Sequence, residues 1–135
     1  MKMYILAYVS ALVPFLLIDG VWLSVMAKRL YMPQLGALMS PTPQWAAAGI
    51  FYLIYLVGLV VLVVVPSLEN GWSAGHTFFI GALLGLVAYG TYDLTNQATL
   101  QGWPVFITIV DLCWGALLTG SVALIAHLMV QALTT

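Results

Sequence analysis

The chain has 135 residues, of which 64% are hydrophobic and 5% are charged, and its formal net charge is −1. Soluble domains carry about 25% charged residues, so a chain with this little charge cannot cover a water-facing surface, and its solvent must be lipid. The charge balance provides no basic field to attract nucleic acid, and the single Cys113 can form neither a disulfide nor a zinc site within the chain.

Four apolar stretches are long enough to cross a hydrocarbon core of about 30 Å, which takes about 20 helical residues. Backbone groups in lipid must hydrogen-bond internally, so each stretch is predicted to be a helix. The connections are short, except the first, and neighbouring spans are therefore antiparallel. The predicted fold is an all-α integral membrane four-helix bundle, one domain over residues 1–135, with spans at about 3–27, 45–65, 76–96 and 104–128.

The first predicted span contains Pro14, which predicts a kink. Its apolar run is longer than a typical signal-peptide core and contains an Asp, so we expect it to be retained as a transmembrane helix. The following segment, "AKRLYMPQLGALMSPTPQ", is amphipathic and ends in two prolines. It is predicted to lie in the membrane interface between the first and second spans.

The few basic residues predict the orientation of the bundle in the membrane. Lys28 and Arg29 flank the first loop, whereas Lys2 lies at the opposite end of the bundle. The positive-inside rule then favours the first and third loops in the cytoplasm and both termini outside.

Three of the four acidic residues are predicted to meet at one end of the bundle. Asp19 is about eight residues before the end of the first span and Asp111 is about seven residues into the fourth, which places both roughly 10–12 Å below the same surface at 1.5 Å per residue. Asp93 lies closer to that surface, in the stretch "GTYDLTNQATLQGWP". An ionised carboxylate facing lipid costs at least about 2.5–3 kcal/mol, so these acids should face inward.

Aromatic and amide side chains share helical faces with these acids, and two short strings, "DGVW" and "DLCW", each place Trp three residues after Asp. We therefore predict a polar pocket open at one end, in which Arg29 reaches inward to pair with an acid. The alternative is that the acids only join helices by hydrogen bonds. The predicted ligand-binding residues are Asp19, Trp22, Arg29, Tyr52, Tyr55, Tyr89, Tyr92, Asp93, Asn96, Asp111 and Trp114.

Other polar and small residues have simpler interpretations. Trp45, Trp72 and Trp103 are typical of interface anchors, and His76 and His127 are expected at the interface as well. The string "GALLG" favours close helix packing, either within the bundle or between protomers. The chain has none of the standard catalytic motifs, and no cofactor or metal is predicted.

The strings "LIDGVWL", "RLYMPQLG", "AAAGIFYLIYLVGLVV", "AYGTYDLTNQATLQGWP" and "VDLCWG" closely resemble the bacterial membrane-protein family catalogued as domain of unknown function 2177. The resemblance covers nearly the whole chain. It implies a four-helix protein of the bacterial inner membrane, without an established activity, encoded near lipid-modifying enzymes that are candidate partners. The family motif maps onto Asp19, Trp22, Arg29, Tyr31, Gly36, Tyr52, Tyr92, Asp93, Asn96, Trp103, Pro104, Asp111 and Trp114.

Three functions compete at this point, beside a structural or assembly role as a subunit of a larger membrane enzyme. The first is a binding protein for a membrane lipid headgroup or a small polar or cationic ligand. The second is a lipid-modifying membrane enzyme that uses buried Asp residues as acid and base. The third is a small proton-coupled transporter acting as a homodimer, although its acids lie away from the membrane midplane that alternating access favours.

Overall fold

The computed structural model describes all 135 residues, and they form helices joined by short connections. Four helices are long and apolar enough to cross a membrane. We number them in chain order as span 1 (Lys2–Leu35), span 2 (Trp45–Glu69), span 3 (Ala74–Thr99) and span 4 (Val105–Thr134). The predicted all-α four-helix bundle is thus confirmed.

Span 1 is longer than the sequence predicts. The chain remains α-helical through Pro14 to Met26, continues as a π-helical turn over Ala27–Tyr31, and ends as a helix at Leu35. Part of the segment predicted to be interfacial is therefore a continuation of this helix. The π-helical turn carries an extra residue per turn, and within it Leu30 is buried against Trp103 and Ile107.

Spans 3 and 4 form the closest helix pair, because glycines remove side-chain bulk where the backbones approach. A Cβ atom on Gly85 would lie 2.1 Å from the carbonyl oxygen of Gly115, and one on Gly81 would lie 2.7 Å from the Cβ of Ala123. The "GALLG" string thus packs within the bundle rather than between protomers. This contact sets the register that brings Asp93 beside Asp111 of span 4.

Span 2 packs differently along its length. Its first half leans on span 1, and its π-helical turn, Val60–Val64, contacts spans 1, 3 and 4. Residues 45–51 are all exposed, whereas Val60, Val63 and Val64 are buried. The bundle is consequently tight at the end that holds both termini and looser at the opposite end.

The tight end contains a polar contact that the sequence analysis missed. His127 is 2% exposed and lies against Ser67, with Nδ1 2.7 Å from the Ser67 hydroxyl oxygen. The Ser67 hydroxyl also donates to the carbonyl oxygen of Val64 at 2.6 Å. The expectation that His127 lies at the interface is wrong, because its ring is enclosed between spans 2 and 4.

Candidate functional site

A cavity of about 630 Å³ lies at the looser end of the bundle, where spans 1 and 3 end and spans 2 and 4 begin. All four spans contribute to its wall, and the only charged residues among those lining it are Asp19 and Asp111. The remaining lining residues are apolar or aromatic: Trp22, Leu23, Ala27, Tyr31, Leu35, Met39, Ala48, Phe51, Tyr52, Ala88, Tyr89, Tyr92, Trp103 and Trp114.

Asp19 is held from two other spans. The hydroxyl of Tyr52, on span 2, donates to Oδ2 of Asp19 at 2.7 Å, and the indole N–H of Trp114, on span 4, donates to Oδ1 at 3.2 Å. Asp19 is 5% exposed, so both bonds are formed away from bulk solvent. Each oxygen of this carboxyl group therefore has one neutral donor, and the group joins spans 1, 2 and 4.

Asp111 is held from the end of span 1. The Tyr31 hydroxyl donates to Oδ1 of Asp111, and the indole N–H of Trp22 donates to the Tyr31 oxygen at 3.1 Å. Tyr31 reaches span 4 because the helix continues through the π-helical turn instead of leaving the bundle after residue 27. Asp111 accepts through Oδ1 alone, and its Oδ2 has no hydrogen-bond donor from the protein.

The two Asp–Trp strings of the sequence meet in this cavity. The rings of Trp22 and Trp114 are stacked, with centroids 4.0 Å apart and planes inclined by 9°. Each indole serves the acid of the other helix: Trp114 donates to Asp19 directly, and Trp22 supports Asp111 through Tyr31. Span 1 and span 4 thus each contribute one acid and one indole, and each indole supports the acid on the other span.

Asp93 lies behind the cavity wall. It is 0% exposed, neither carboxyl oxygen has a hydrogen-bond partner, and its carboxyl group is a neighbour of the Asp111 carboxyl. Buried polar groups are normally paired, and an unpaired one costs about 1–3 kcal/mol or more. Asp93 is therefore the one acid of the site for which the chain supplies no donor.

The connection between spans 3 and 4 is fixed by a small polar network. The Gln97 amide donates to the Trp103 carbonyl oxygen at 2.9 Å, Trp103 donates through its indole to Thr108 at 3.1 Å, and Thr108 donates to the Gln97 side-chain oxygen at 2.9 Å. Gly102, at φ 75°, makes the reversal that this network requires. Trp103 is only 7% exposed and lines the cavity, so its expected role as an interface anchor is wrong.

The structure brings most of the predicted site residues together. Asp19 and Asp111 share one cavity, as their matched depths predicted, and the predicted residues that line it with them are Trp22, Tyr52, Tyr89, Tyr92 and Trp114. Asn96 is half-buried and does not line the cavity. Tyr55 is buried and its hydroxyl bonds to that of Thr119, deeper in the bundle.

Arg29 does not occupy the position that the sequence suggested. Its side chain is exposed and outside the cavity wall. Asp93 has no partner, and the recorded donors to Asp19 and Asp111 are tyrosine and tryptophan side chains. The predicted inward pairing of Arg29 is thus not formed, since Arg29 projects away from the bundle on the π-helical turn that directs Tyr31 inward.

Several apolar lining residues and one polar lining residue, Tyr31, are not among the ligand-binding residues predicted from helix depth and spacing. Tyr31 was assigned to an interfacial segment, and its role depends on the π-helical turn, for which the sequence gives no clear signal. Leu23, Ala27 and Ala88 carry no chemical signature that separates cavity lining from lipid contact. The family motif, however, includes Tyr31 and Trp103, and this was the one available signal for both residues.

Comparison with known families identifies the one to which the chain belongs. The model of a family described as "Predicted membrane protein (DUF2177)" matches residues 4–128. No curated protein and no solved structure matches the chain. A match that covers nearly all of the chain, together with four membrane-spanning helices, shows that this multi-pass membrane protein belongs to the DUF2177 family.

Proposed function

We propose that the protein is a binding protein of the bacterial inner membrane whose cavity holds an amphipathic molecule, with its polar headgroup at Asp19 and Asp111. One observation carries this proposal: two carboxyl groups from different helices line the same cavity, and each is held in place by neighbouring side chains. A carboxyl group in a membrane-spanning segment is costly, and such residues usually mark a functional site.

The shape and lining of the cavity support an amphipathic ligand. A volume of about 630 Å³ falls in the range of small-molecule sites, about 300–1,000 Å³, and those sites combine apolar walls with a few placed polar groups. Here the polar groups are the two acids and the tyrosine hydroxyls beside them. The aromatic and aliphatic wall would enclose the apolar part of the ligand.

The loose packing of span 2 supports entry from the membrane. Phe51 on span 2 and Tyr92 on span 3 both line the cavity, yet they are 52% and 57% exposed. The first half of span 2 packs mainly on span 1 at this level, so a gap toward span 3 faces the lipid. A ligand already dissolved in one leaflet would reach the acids through this gap without crossing water.

The position of the basic residues supports an orientation. Lys28 and Arg29 are exposed at the cavity end, which favours that end in the cytoplasm and both termini outside. The cavity would then open to the cytoplasmic leaflet. Lipid-modifying enzymes that act on that leaflet are candidate partners, and a homo-oligomer is a candidate assembly.

Native mass spectrometry of the protein released from membranes tests the proposal. We expect the wild type to retain a bound amphiphile and the double variant Asp19→Asn, Asp111→Asn to lose most of it. Glu69→Gln is the matched control, because Glu69 is an exposed acid at the opposite end of the bundle. Equal retention by the double variant and the control would contradict the proposal.

A second candidate is a lipid-modifying enzyme, and the specific observation that favours it is that the carboxyl groups of Asp93 and Asp111 are neighbours. Neighbouring carboxyl groups can share one proton, which is a recognised arrangement for acid–base catalysis. Membrane lipid profiles of cells with and without the gene test this candidate. A product that appears with the wild type and disappears in Asp111→Asn would favour catalysis over binding alone.

A further inference from the structure

The charges around the cavity specify the ligand further, and this inference rests on the proposed binding function. Asp19, Asp93 and Asp111 lie together with 5%, 0% and 6% exposure. The chain has only three Lys and Arg residues, and Lys2, Lys28 and Arg29 are all exposed and absent from the cavity wall. The site is therefore rich in carboxyl groups, and no Lys or Arg side chain lines the cavity.

Neutral donors satisfy only part of this site. Both oxygens of Asp19 and one oxygen of Asp111 accept hydrogen bonds from tyrosine and tryptophan side chains. Oδ2 of Asp111 has no recorded donor, and both oxygens of Asp93 are buried without one. Of these acceptors, only Oδ2 of Asp111 belongs to a residue that lines the cavity. A positively charged donor in the cavity can pair with this oxygen, and its charge also offsets the carboxyl group of Asp93 behind it, as buried charges in proteins are normally offset.

The aromatic wall fits the same kind of group. Trp22, Trp114, Tyr52, Tyr89, Tyr92 and Trp103 all line the cavity. Aromatic faces attract cations within about 6 Å of the ring centre, and ammonium groups are commonly bound by sets of such rings. Carboxyl groups and aromatic rings together favour an ammonium group and disfavour a phosphate or sulfate at the same position.

We propose that the polar end of the ligand is an ammonium group, which lies beside Asp111 and Asp19 and acts as the missing counter-charge. The ammonium donates to the free oxygen of Asp111. The apolar remainder of the ligand follows the aliphatic wall toward the gap between spans 2 and 3. Where the ligand is an aminolipid, its phosphate lies outside the acid-lined part of the cavity.

Lipid pairs that differ only in the headgroup test the charge preference. The lipid-stripped full chain in a neutral detergent is mixed with equal amounts of phosphatidylethanolamine and phosphatidylglycerol of identical acyl chains, and bound lipid is measured by native mass spectrometry. We expect retention of phosphatidylethanolamine to exceed that of phosphatidylglycerol by about tenfold, as a charge-paired and aromatic contact implies. Asp111→Asn should reduce the ratio toward one, and Glu69→Gln should leave it unchanged.

Asp93→Asn is a second test variant, for the case in which Asp111→Asn does not fold. It removes the unpaired acid without disturbing a recorded hydrogen bond, and it too should lower the ratio. Equal retention of the two lipids by the wild type would overturn the ammonium assignment while leaving the binding function intact. Retention of neither lipid, nor of the alkyl probes below, would instead overturn the binding function.

Smaller probes distinguish an aminolipid from a free amine. Competition by decylammonium, but not by decyl sulfate, supports the ammonium site in an amphiphile. Competition by methylammonium at similar concentration also supports the ammonium site and identifies a free amine as its source. Competition by decyl sulfate equal to that by decylammonium would overturn the proposal, because the site would then respond to the alkyl chain alone.

Discussion

Trp22 and Trp114 stack at 4.0 Å between ring centroids, and each lies three residues after an acid that lines the same cavity. Each indole N–H serves the acid on the other helix, directly for Asp19 and through Tyr31 for Asp111. The stack therefore couples the positions of two carboxyl groups that come from opposite ends of the chain. Together with the Tyr31–Asp111 hydrogen bond, the stack holds spans 1 and 4 together beside the cavity.

Trp114→Phe is predicted to lower the free energy of unfolding by about 1–3 kcal/mol, because Oδ1 of Asp19 loses its donor in a buried setting. The phenyl ring retains part of the stack with Trp22. Thermal unfolding in detergent measures the change. Trp45→Phe is the control, since Trp45 is 75% exposed. Equal unfolding temperatures for the two variants would contradict the predicted role of the Trp114 indole N–H.

Asp93→Asn is predicted to stabilise the ligand-free protein by about 1 kcal/mol, because the amide can donate a hydrogen bond to the Asp111 carboxyl. Asp19→Asn is predicted to act in the opposite direction, since its amide nitrogen would face one of the two donors that Asp19 now accepts. Unfolding of the two lipid-stripped variants under the same conditions gives the comparison. A loss of stability in Asp93→Asn as large as that in Asp19→Asn would mean that Asp93 has a partner after all.

Gly85→Ala is predicted to destabilise the bundle by about 1–3 kcal/mol or more through overpacking, because its Cβ would lie 2.1 Å from a backbone oxygen of span 4. Gly49→Ala is the matched control, as a Cβ there meets nothing within 4 Å. Resistance to unfolding by a denaturing detergent distinguishes the two. Equal resistance would show that spans 3 and 4 are less closely packed than described.

Ala48→Trp is predicted to reduce ligand retention several-fold by filling the cavity mouth, with little change in stability because Ala48 is exposed. Its neighbour Ala47 is also exposed but does not line the cavity, so Ala47→Trp should retain ligand as the wild type does. Native mass spectrometry gives both values. If neither substitution alters retention, entry beside span 2 is wrong.

Ser67→Ala is predicted to lower the free energy of unfolding by about 1–3 kcal/mol, since buried His127 loses its recorded partner. Ligand retention should not change, because the pair lies at the opposite end of the bundle from the cavity. Ser24→Ala, at an exposed serine, should change neither property. Loss of ligand in Ser67→Ala without loss of stability would contradict the independence of the Ser67–His127 pair and the cavity.

Much of the fold could be read from the sequence, because a chain with 5% charged residues and four long apolar runs has few alternatives in lipid. The predicted depth below the membrane surface was enough to place Asp19 and Asp111 at the same level of the bundle, because the helical rise converts a count of residues into a distance. The direction of Arg29 could not be obtained in this way. It depends on the π-helical turn at Ala27–Tyr31. Within this turn the side chain of Tyr31 points into the bundle, whereas that of Arg29 points outward.

The partner of each buried polar residue was harder to predict than its depth. His127 and Trp103 both read as interface residues, because their types are frequent there. Their burial follows from tertiary contacts, with Ser67 for His127 and with Thr108 for Trp103. For residues with an apolar side chain, such as Ala88, the sequence does not indicate whether the side chain borders a cavity or lipid.

An experimental structure of the full chain in lipid nanodiscs is the most direct test of the central claim. We expect density for an amphiphile in the cavity, with its polar end within hydrogen-bonding distance of the Asp111 or Asp19 carboxyl group and its apolar part leading between spans 2 and 3. A cavity closed by span 2, or carboxyl groups turned away from any bound molecule, would contradict it.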